Sequence, residues 1–270
     1  MTNPILRLRV NAKYFAHHRV INDVAFTLCN SEIVSLVGPS GCGKSTLLRI
    51  ISGLDKQYQG EVLVNEKTPH VHSQDVGFIF QEPRLLPWLT VAENVGFDQG
   101  KKGAKSALTE ELLTEVGLSD FANAYPKELS GGMAQRAAIA RGLFTNPKLL
   151  LLDEPFSAVD AFTRMRLQDL LLSIAARHKT TILLVTHDVQ EAAYLSDRVI
   201  ILASRPGRII GEVEIENPRP RDRKDPTIAK KQSEILKILN HENTDYLNIA
   251  DEIHFRVQAN HPISRYNFAI

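Results

Sequence analysis

The residues with the most definite chemistry form a glycine-rich loop, GPSGCGKST, at positions 38–46. Its spacing is G-x-x-x-x-G-K-[ST], and it follows a short apolar run and precedes a helical pattern. Glycines let backbone N–H groups surround a phosphate, and a helix N-terminus offers partial positive charge. We therefore predict that the loop binds a nucleoside triphosphate. The predicted contact residues are Gly38, Pro39, Ser40, Gly41, Cys42, Gly43, Lys44, Ser45 and Thr46.

Three side chains of this loop have predicted roles in phosphate chemistry. Lys44 is expected to reach the β- and γ-phosphates and to be a catalytic residue, and Ser45 is expected to be a ligand of Mg²⁺. Thr46 is expected to bond a phosphate oxygen from the start of the following helix. Taken alone, the loop predicts nucleotide binding and no particular reaction.

A pair of carboxylates follows a run of four leucines. Leu149–Leu152 is typical of a central parallel strand buried on both faces, and it leads directly to Asp153 and Glu154. In open α/β sheets ligands bind at the carboxyl ends of the strands. We predict that Asp153 joins the Mg²⁺ shell and that Glu154 polarises the water that attacks the γ-phosphate. The alternative is a solvated acidic strand end, which the phosphate loop upstream argues against.

Strands and helices alternate through much of the chain, which predicts βαβ units and an α/β fold. Helices are predicted from Lys44 to about Ser52 and over Ala161–Ala176. A helical stretch at roughly Thr90–Phe144 interrupts the alternation and predicts an inserted subdomain over about 82–145. The predicted strands are Ile5–Val10, Val20–Leu28, Ile33–Val37, Val62–Val64, Val76–Phe80, Leu149–Leu152, Thr181–Thr186 and Arg198–Leu202.

The C-terminal part of the sequence differs in character. Residues 217–225 (NPRPRDRKD) are rich in proline and charge, which predicts a linker. Asp225-Pro226 has the form of an N-cap and a first-turn proline, so a helix is predicted to follow. We therefore divide the chain into a domain over 1–216 and a linker with a C-terminal helical tail over 217–270. The role of the tail after Asn240 stays open.

Composition limits the classes of partner and location. The net charge of +1 gives no basic excess for a nucleic-acid partner. We find neither a signal peptide nor an apolar run long enough to cross a bilayer, so any membrane role is expected to depend on a partner. The two cysteines, Cys29 and Cys42, have no metal or redox spacing, which favours a reducing compartment.

A further motif, Leu129-Ser130-Gly131-Gly132-Met133, resembles the signature of the ABC (ATP-binding-cassette) ATPase family. In that family two subunits pair head-to-tail, and each ATP lies between one subunit's phosphate loop and the other's signature. The resemblance therefore implies that Ser130, Gly131 and Gly132 contact a partner's nucleotide. Met133 stands where the family usually has Gln, so we expect altered tuning and retained function.

Other family elements fall at matching positions of the sequence. Gln81 matches the glutamine that senses Mg²⁺ and the attacking water, and His187 matches the switch histidine that contacts the γ-phosphate. The resemblance therefore implies that both are catalytic, as Glu154 is, and that Gln81 is also a metal ligand. The loop ending at Asp160 (SAVD) resembles the loop that crosses to the partner subunit. Phe15 stands where the family stacks an aromatic ring on adenine, and Tyr14 is the alternative. The resemblance covers about residues 5 to 215, and it implies a P-loop NTPase cassette with a mainly parallel core sheet, an antiparallel β subdomain and an inserted helical subdomain.

The family includes transporter motors, soluble ATPases of DNA repair or chromosome maintenance, and ribosome-associated factors. DNA-repair members carry long coiled coils, and ribosomal factors carry two cassettes, whereas this chain has neither feature. The segments FQEPRLLPWLTV (80–91), DAFTR (160–164) and RPGRI (205–209) resemble the ATPases of nitrate, sulfonate and taurine importers. The resemblance implies an ATP-hydrolysing subunit that energises import of a small anionic or polar solute. The alternative is a soluble ABC ATPase without a transport role.

The importer assignment implies a set of partners and a location. The expected partners are a second ATPase subunit, membrane permease subunits and, indirectly, a solute-binding protein. The expected location is peripheral, on the cytoplasmic face of the inner membrane. We also expect Pro83–Thr90 to form part of the groove that receives the permease, with Trp88 supplying apolar contact. The alternative for Trp88 is an ordinary core position.

Overall fold

The computed structural model describes residues 4–71, 73–204 and 206–241. Its strands are β1 (Leu6–Phe15), β2 (His18–Leu28), β3 (Ile33–Val37), β4 (Gln59–Val64), β5 (Val76–Ile79), β6 (Leu149–Asp153), β7 (Thr181–Thr186), β8 (Arg198–Ala203) and β9 (Arg208–Glu214). Its helices are α1 (Lys44–Ile51), α2 (Val91–Val95), α3 (Gly100–Ala104), α4 (Ala107–Glu115), α5 (Gly131–Leu143), α6 (Ala161–His178), α7 (Val189–Leu195) and α8 (226–241). Short 3₁₀ turns lie at Phe97–Gln99, Ser119–Phe121 and Pro126–Glu128.

A six-stranded sheet in the order β5-β6-β7-β3-β8-β9 forms the centre of the molecule. The first five strands in this order are parallel, and β9 pairs antiparallel with β8. Every residue of β3 and β7 is buried, because helices and the second sheet leave neither face to solvent. Such strands are built from continuous apolar residues, as the leucines of β6 illustrate. The predicted mainly parallel core sheet is confirmed.

The second sheet has three antiparallel strands in the order β2-β1-β4. Buried and exposed residues alternate along the first half of β1, as expected when one face covers a core. This sheet is the predicted antiparallel β subdomain. Strand β1 extends to Phe15, five residues beyond the predicted end at Val10. The apolar pattern is broken there by Lys13, whose buried ammonium is 2.8 Å from Asp55.

Strand β9 was not predicted from the sequence. It is an edge strand with one hydrogen-bonded neighbour, and most of its residues are only half-buried. An edge strand in this position needs neither a continuous apolar run nor strict alternation, so the sequence RIIGEVE carries a weak signal.

Helices α2 to α5 occupy the predicted inserted region between β5 and β6. Their apolar faces contribute Val91, Leu112 and Ile139 to the core beneath the parallel sheet. Glycine is required where this region turns. A Cβ added at Gly96 would lie 2.2 Å from a backbone carbon of Gly103. The breaks in the helical pattern therefore come from chain crossings that allow no side chain.

The C-terminal segment packs against the sheet. Ile228 and Ile235 of α8 are buried in a cluster with Val199 and Ile201 of β8. The predicted helix start is confirmed, since the Asp225 carboxylate accepts the N–H of Thr227 at 2.9 Å. The division of the chain at position 216 stays a prediction. Most of the predicted tail, after residue 241, lies outside the described residues, as does Arg205 of the 205–209 motif.

Among the described residues, none of the helices combines the length and apolarity that a bilayer crossing needs.

Candidate active site

The phosphate loop connects the carboxyl end of β3 to the first turn of α1. Gly41 and Gly43 have φ values of 80° and 95°, in the left-handed region that L side chains rarely adopt. A Cβ added at Gly38 would lie 2.4 Å from the carbonyl oxygen of Leu202. The glycines are thus required for the turn itself and for close approach to β8.

Lys44 lies beneath this loop with 6% of its surface exposed. Its Nζ donates hydrogen bonds to the carbonyl oxygens of Gly38, at 2.7 Å, and Pro39, at 3.0 Å. Burial raises the pKa of the neighbouring Cys42 thiol, and the Lys44 charge only partly opposes this effect. The ammonium group is therefore held at the loop by the loop's own backbone.

Ser45 and Asp153, both predicted metal ligands, are brought together. The Ser45 hydroxyl donates to Asp153 Oδ1 at 2.9 Å, which joins the start of α1 to the end of β6. Burial is the main cause that raises the pKa of Asp153, and the charge of Glu154 adds to it. Hydroxyl and carboxylate oxygens are the donors that Mg²⁺ prefers, so the residues present fit this cation. Gln81, the third predicted metal ligand, is not part of this pair.

Glu154, Gln81 and His187 lie together just beyond the carboxyl ends of the parallel strands β6, β5 and β7. Glu154 Oε2 is 3.0 Å from His187 Nδ1. Gln81 donates to the Ser157 hydroxyl at 3.3 Å, and that hydroxyl donates to the Glu154 carbonyl oxygen at 3.0 Å. Three of the four predicted catalytic residues therefore belong to one hydrogen-bonded group.

The backbone of Glu154 is unusual in its conformation. Its φ of 46° is in the left-handed region, which costs a residue with a Cβ about 1–3 kcal/mol. The N–H of Glu154 donates to the carbonyl oxygen of Val185 at 2.9 Å, so the neighbouring strand β7 fixes this geometry. The strained turn aims the carboxylate at the histidine that follows β7.

The signature residues lie elsewhere in the chain. Ser130 caps α5 and accepts the N–H of Met133 at 3.3 Å, and Gly132 packs so closely on Thr163 that a Cβ there would be 2.4 Å from its methyl group. Among the described residues, no hydrogen bond or ion pair joins Ser130, Gly131 or Gly132 to the loop at 38–46. The signature residues and the phosphate loop are thus separate parts of the described chain.

Two further predicted contact residues are also outside the phosphate loop's hydrogen-bonded surroundings. Asp160 caps α6, and the hydrogen bonds from Thr163 and Phe162 lower the pKa of its carboxyl group. Phe15 and Tyr14 are both about half exposed at the end of β1, so the geometry does not choose between them. Near this strand end, a cavity of about 530 Å³ is lined by His18, Arg19, Val20, Gly41 and Pro206.

A role for Arg141 near the site was not predicted from the sequence. The guanidinium of Arg141, on α5, donates to the carbonyl oxygens of Pro83 at 2.7 Å and Arg84 at 2.8 Å. It therefore ties the signature helix to the segment that follows Gln81. Its sequence signal is a lone charge in the apolar stretch AAIARGL, at 137–143.

Trp88 lies in the segment that follows Gln81. Its residue surface is 69% exposed, so the alternative of a core position is wrong.

A parallel sheet with a glycine-rich phosphate loop, an acidic strand end and a nearby histidine defines a P-loop nucleoside triphosphatase. Comparison with known families identifies the branch: residues 21–157 match the model of the ABC transporter family. The chain belongs to the ABC transporter family, and ATP is the nucleotide that this family binds.

Individual relatives agree with this assignment. The chain is 57% identical over 233 residues to the aliphatic sulfonates import ATP-binding protein SsuB 2 of Pseudomonas syringae pathovar tomato, which covers 86% of this chain and 97% of the relative. This similarity confirms that the chain is an ATP-hydrolysing subunit of an importer, similar to those of the sulfonate importers. The alternative of a soluble ABC ATPase without transport is not favoured.

Solved structures confirm the cassette fold. One is cbiO1 from Clostridium perfringens, part of the ABC transporter complex cbiONQ, with a TM-score of 0.72, 23% identity, and coverage of 86% of this chain and 93% of that one. The other is the ATP-binding cassette MJ0796, in a dimeric post-hydrolysis state bound to ADP and Pi. It has a TM-score of 0.66 and 32% identity, with coverage of 79% of this chain and 100% of that one.

The raised pKa of Asp153 predicts an effect on stability. Because the folded state holds the proton more tightly than the unfolded chain, ionisation of Asp153 destabilises the fold as the pH rises above the ordinary value of 3.8. Asp153→Asn should therefore raise the Tm of the nucleotide-free protein at neutral pH, and the gain should shrink as the pH falls toward 3.8. Thermal unfolding across this range measures it. Asp120→Asn, which alters an exposed carboxylate, is the control and should show no such gain.

Proposed function

We propose that the chain binds ATP with Mg²⁺ at residues 38–46 and uses hydrolysis to drive import of aliphatic sulfonates or related small anions. The hydrogen-bonded group of Glu154, His187 and Gln81, beside the Ser45–Asp153 pair, carries the hydrolytic part of this proposal. The solute class rests on the high identity to the sulfonate import subunit.

The residues of the site have distinct parts in the proposed reaction. Lys44 binds the β- and γ-phosphate oxygens, and Thr46 holds a further oxygen at the start of α1. Glu154 accepts a proton from the water that attacks the γ-phosphorus, while Gln81 orients that water. His187 donates to the γ-phosphate and, through its bond with Glu154, holds the carboxylate in place. Ser45 and Asp153 would hold Mg²⁺, which neutralises phosphate charge when bound.

A complete site needs a second subunit. Ser130, Gly131 and Gly132 form an anion-binding loop apart from the chain's own phosphate loop, and Asp160 lies in the loop that precedes α6. In a head-to-tail pair, these residues would contact the nucleotide held by the partner, and Phe15 would stack on adenine in its own subunit. The dimeric state of the solved cassette with 32% identity supports this arrangement.

The segment after Gln81 is proposed as the contact with a membrane permease. Trp88 projects from this segment, and the exposed rings of Phe121 and Tyr125 belong to the adjoining stretch. The two stretches are joined by the hydrogen bond from the N–H of Val91 to the carbonyl oxygen of Ala124, at 2.9 Å. Exposed aromatic side chains on neighbouring stretches are typical of protein interfaces. A peripheral position on the cytoplasmic face, with a solute-binding protein delivering the solute from the other side, completes the proposal.

The proposal is tested in vesicles reconstituted with this chain, its co-purified permease and its binding protein. ATP hydrolysis should rise when an alkanesulfonate and the binding protein are supplied on the side of the membrane opposite to the ATPase subunit. Nitrate and taurine serve as competing solutes. Turnover that no solute stimulates would contradict the importer role, and stimulation by a different anion would correct the solute class alone.

Glu154→Gln should abolish turnover while ATP binding is kept, because the amide fills the same space and cannot accept the proton. The expected loss of kcat is at least about 10²- to 10⁴-fold. ATP should also stabilise the paired state of this variant, measured by gel filtration or light scattering. Lys44→Ala is the comparison, since it should weaken ATP binding itself. Near-normal turnover of Glu154→Gln would reject the base role.

Trp88→Ala should reduce co-purification with the permease or uncouple hydrolysis from transport. The side chain is exposed, so the fold and the basal ATPase activity should be unchanged. Leu54→Ala, an exposed apolar residue outside the helical insertion, is the matched control. Unchanged permease binding and coupling in Trp88→Ala would contradict this contact.

A further inference from the structure

The predicted linker at 217–225 is attached to the cassette by its arginines. Arg219 pairs with Asp197 at 3.0 Å, and the guanidinium of Arg221, with 6% of the residue exposed, donates to the carbonyl oxygen of Tyr194 at 2.9 Å. Arg223 makes contacts of a different kind, because they reach two helices. These helices, α6 and α7, begin at the two loops that hold Asp160 and His187.

Arg223 joins α6 to α7 through its whole guanidinium group. On α6 it donates to Gln168 Oε1 at 2.7 Å, Asp169 Oδ1 at 2.6 Å and the Met165 carbonyl oxygen at 3.0 Å. Its guanidinium carbon also lies over the ring of Tyr194 on α7, 3.8 Å from the ring centre. Such a combination of fork-shaped donation and stacking is available to Arg and not to Lys.

Gln168 connects Arg223 to the first turn of α7 by hydrogen bonds. Its side chain is buried, and its two ends are used differently: the carbonyl oxygen accepts from Arg223, and the amide donates to Glu191 Oε1 at 3.0 Å. A cation on one side and a carboxylate on the other leave only this orientation of the amide. Loss of either neighbour would leave a buried polar atom unpaired, which is costly.

Glu191 is 4% exposed and lies in the first turn of α7. Its carboxylate accepts a hydrogen bond from Gln168 at 3.0 Å. Its N–H donates to Asp188 Oδ1 at 3.1 Å, and the N–H of Asp188 donates in turn to the hydroxyl of Thr186, the last residue of β7, at 3.0 Å. Burial is the main cause that raises the pKa of Glu191, and donation from Thr186 and Gln168 opposes it. His187 directly follows Thr186 and bonds Glu154. A continuous set of hydrogen bonds thus runs from Arg223 to the residue before the histidine.

We propose that Arg223 is a positioning residue for His187. Through Gln168 and Glu191 it fixes the end of β7, and therefore the distance at which His187 meets Glu154 and the γ-phosphate. The segment at 217–225 thereby influences the rate of ATP hydrolysis, although it lies outside the nucleotide site. This inference rests on the role of His187 given under the proposed function.

The test compares steady-state kcat with ATP affinity, measured by binding of a non-hydrolysable analogue, in the full chain. Arg223→Met should lower kcat roughly 10- to 100-fold while affinity is unchanged, because a small displacement of a reacting group has effects of this size. Arg219→Met is the matched control. It loosens the same segment without touching Gln168, and it should keep wild-type kcat. Equal losses in both variants would show a merely structural attachment and overturn the inference.

A second variant keeps the test decisive if Arg223→Met does not fold. Gln168→Met leaves the pair of Arg223 with Asp169 in place and should lower kcat as much as Arg223→Met, with no further loss in the double variant. Full activity of Gln168→Met would contradict the inference. His187→Ala separates the two proposals. If it turns over normally, the role of His187 is wrong; if it is inactive while Arg223→Met and Gln168→Met are normal, only the positioning role is wrong.

Discussion

The parallel pairing of β6, β7 and β3 is the constraint on which the rest of the molecule depends. Because these strands run in one direction in the middle of the sheet, they bury their apolar residues together and reach solvent at one common edge. Everything polar that follows a strand must therefore emerge there. The phosphate loop, the carboxylates of Asp153 and Glu154, and His187 are neighbours for this reason, although they are far apart in sequence.

Burial also determines the chemistry of the polar groups that lie at this edge of the sheet. Lys44 is buried and Asp153 is half-buried, so each depends on a few specific partners. The same rule applies behind this edge, where Gln168 and Glu191 are buried and hydrogen-bonded to each other. A polar group in such surroundings transmits the position of its neighbour, since any displacement leaves an unpaired atom. Distance from the nucleotide is therefore no measure of a residue's influence on it.

Sequence reasoning was most successful where the chemistry is local. The bounds of β3 and β7 agree with prediction, and the phosphate loop was recognisable because its glycines, lysine and serine are contiguous. It failed where the determining partner is distant. The arginines at 217–225 have the composition of a linker, and only the fold reveals their acceptors on α6 and α7. The predicted β1 was too short because Lys13 breaks the apolar pattern, and the partner that allows its burial, Asp55, is 42 positions away.

The central place of β3 has a consequence for biosynthesis. Its hydrogen-bonding partners on both sides come from much later in the chain, so that Val34 pairs with Leu183 and with Arg198. At a synthesis rate of roughly 5–20 residues per second, the strand waits on the order of ten seconds before its first neighbour has been made. During that interval a strand that is apolar at four of its five positions has two unpaired edges. The nascent cassette is therefore most exposed to aggregation while its middle section is being translated, and a chaperone that covers the first sixty residues would protect it most.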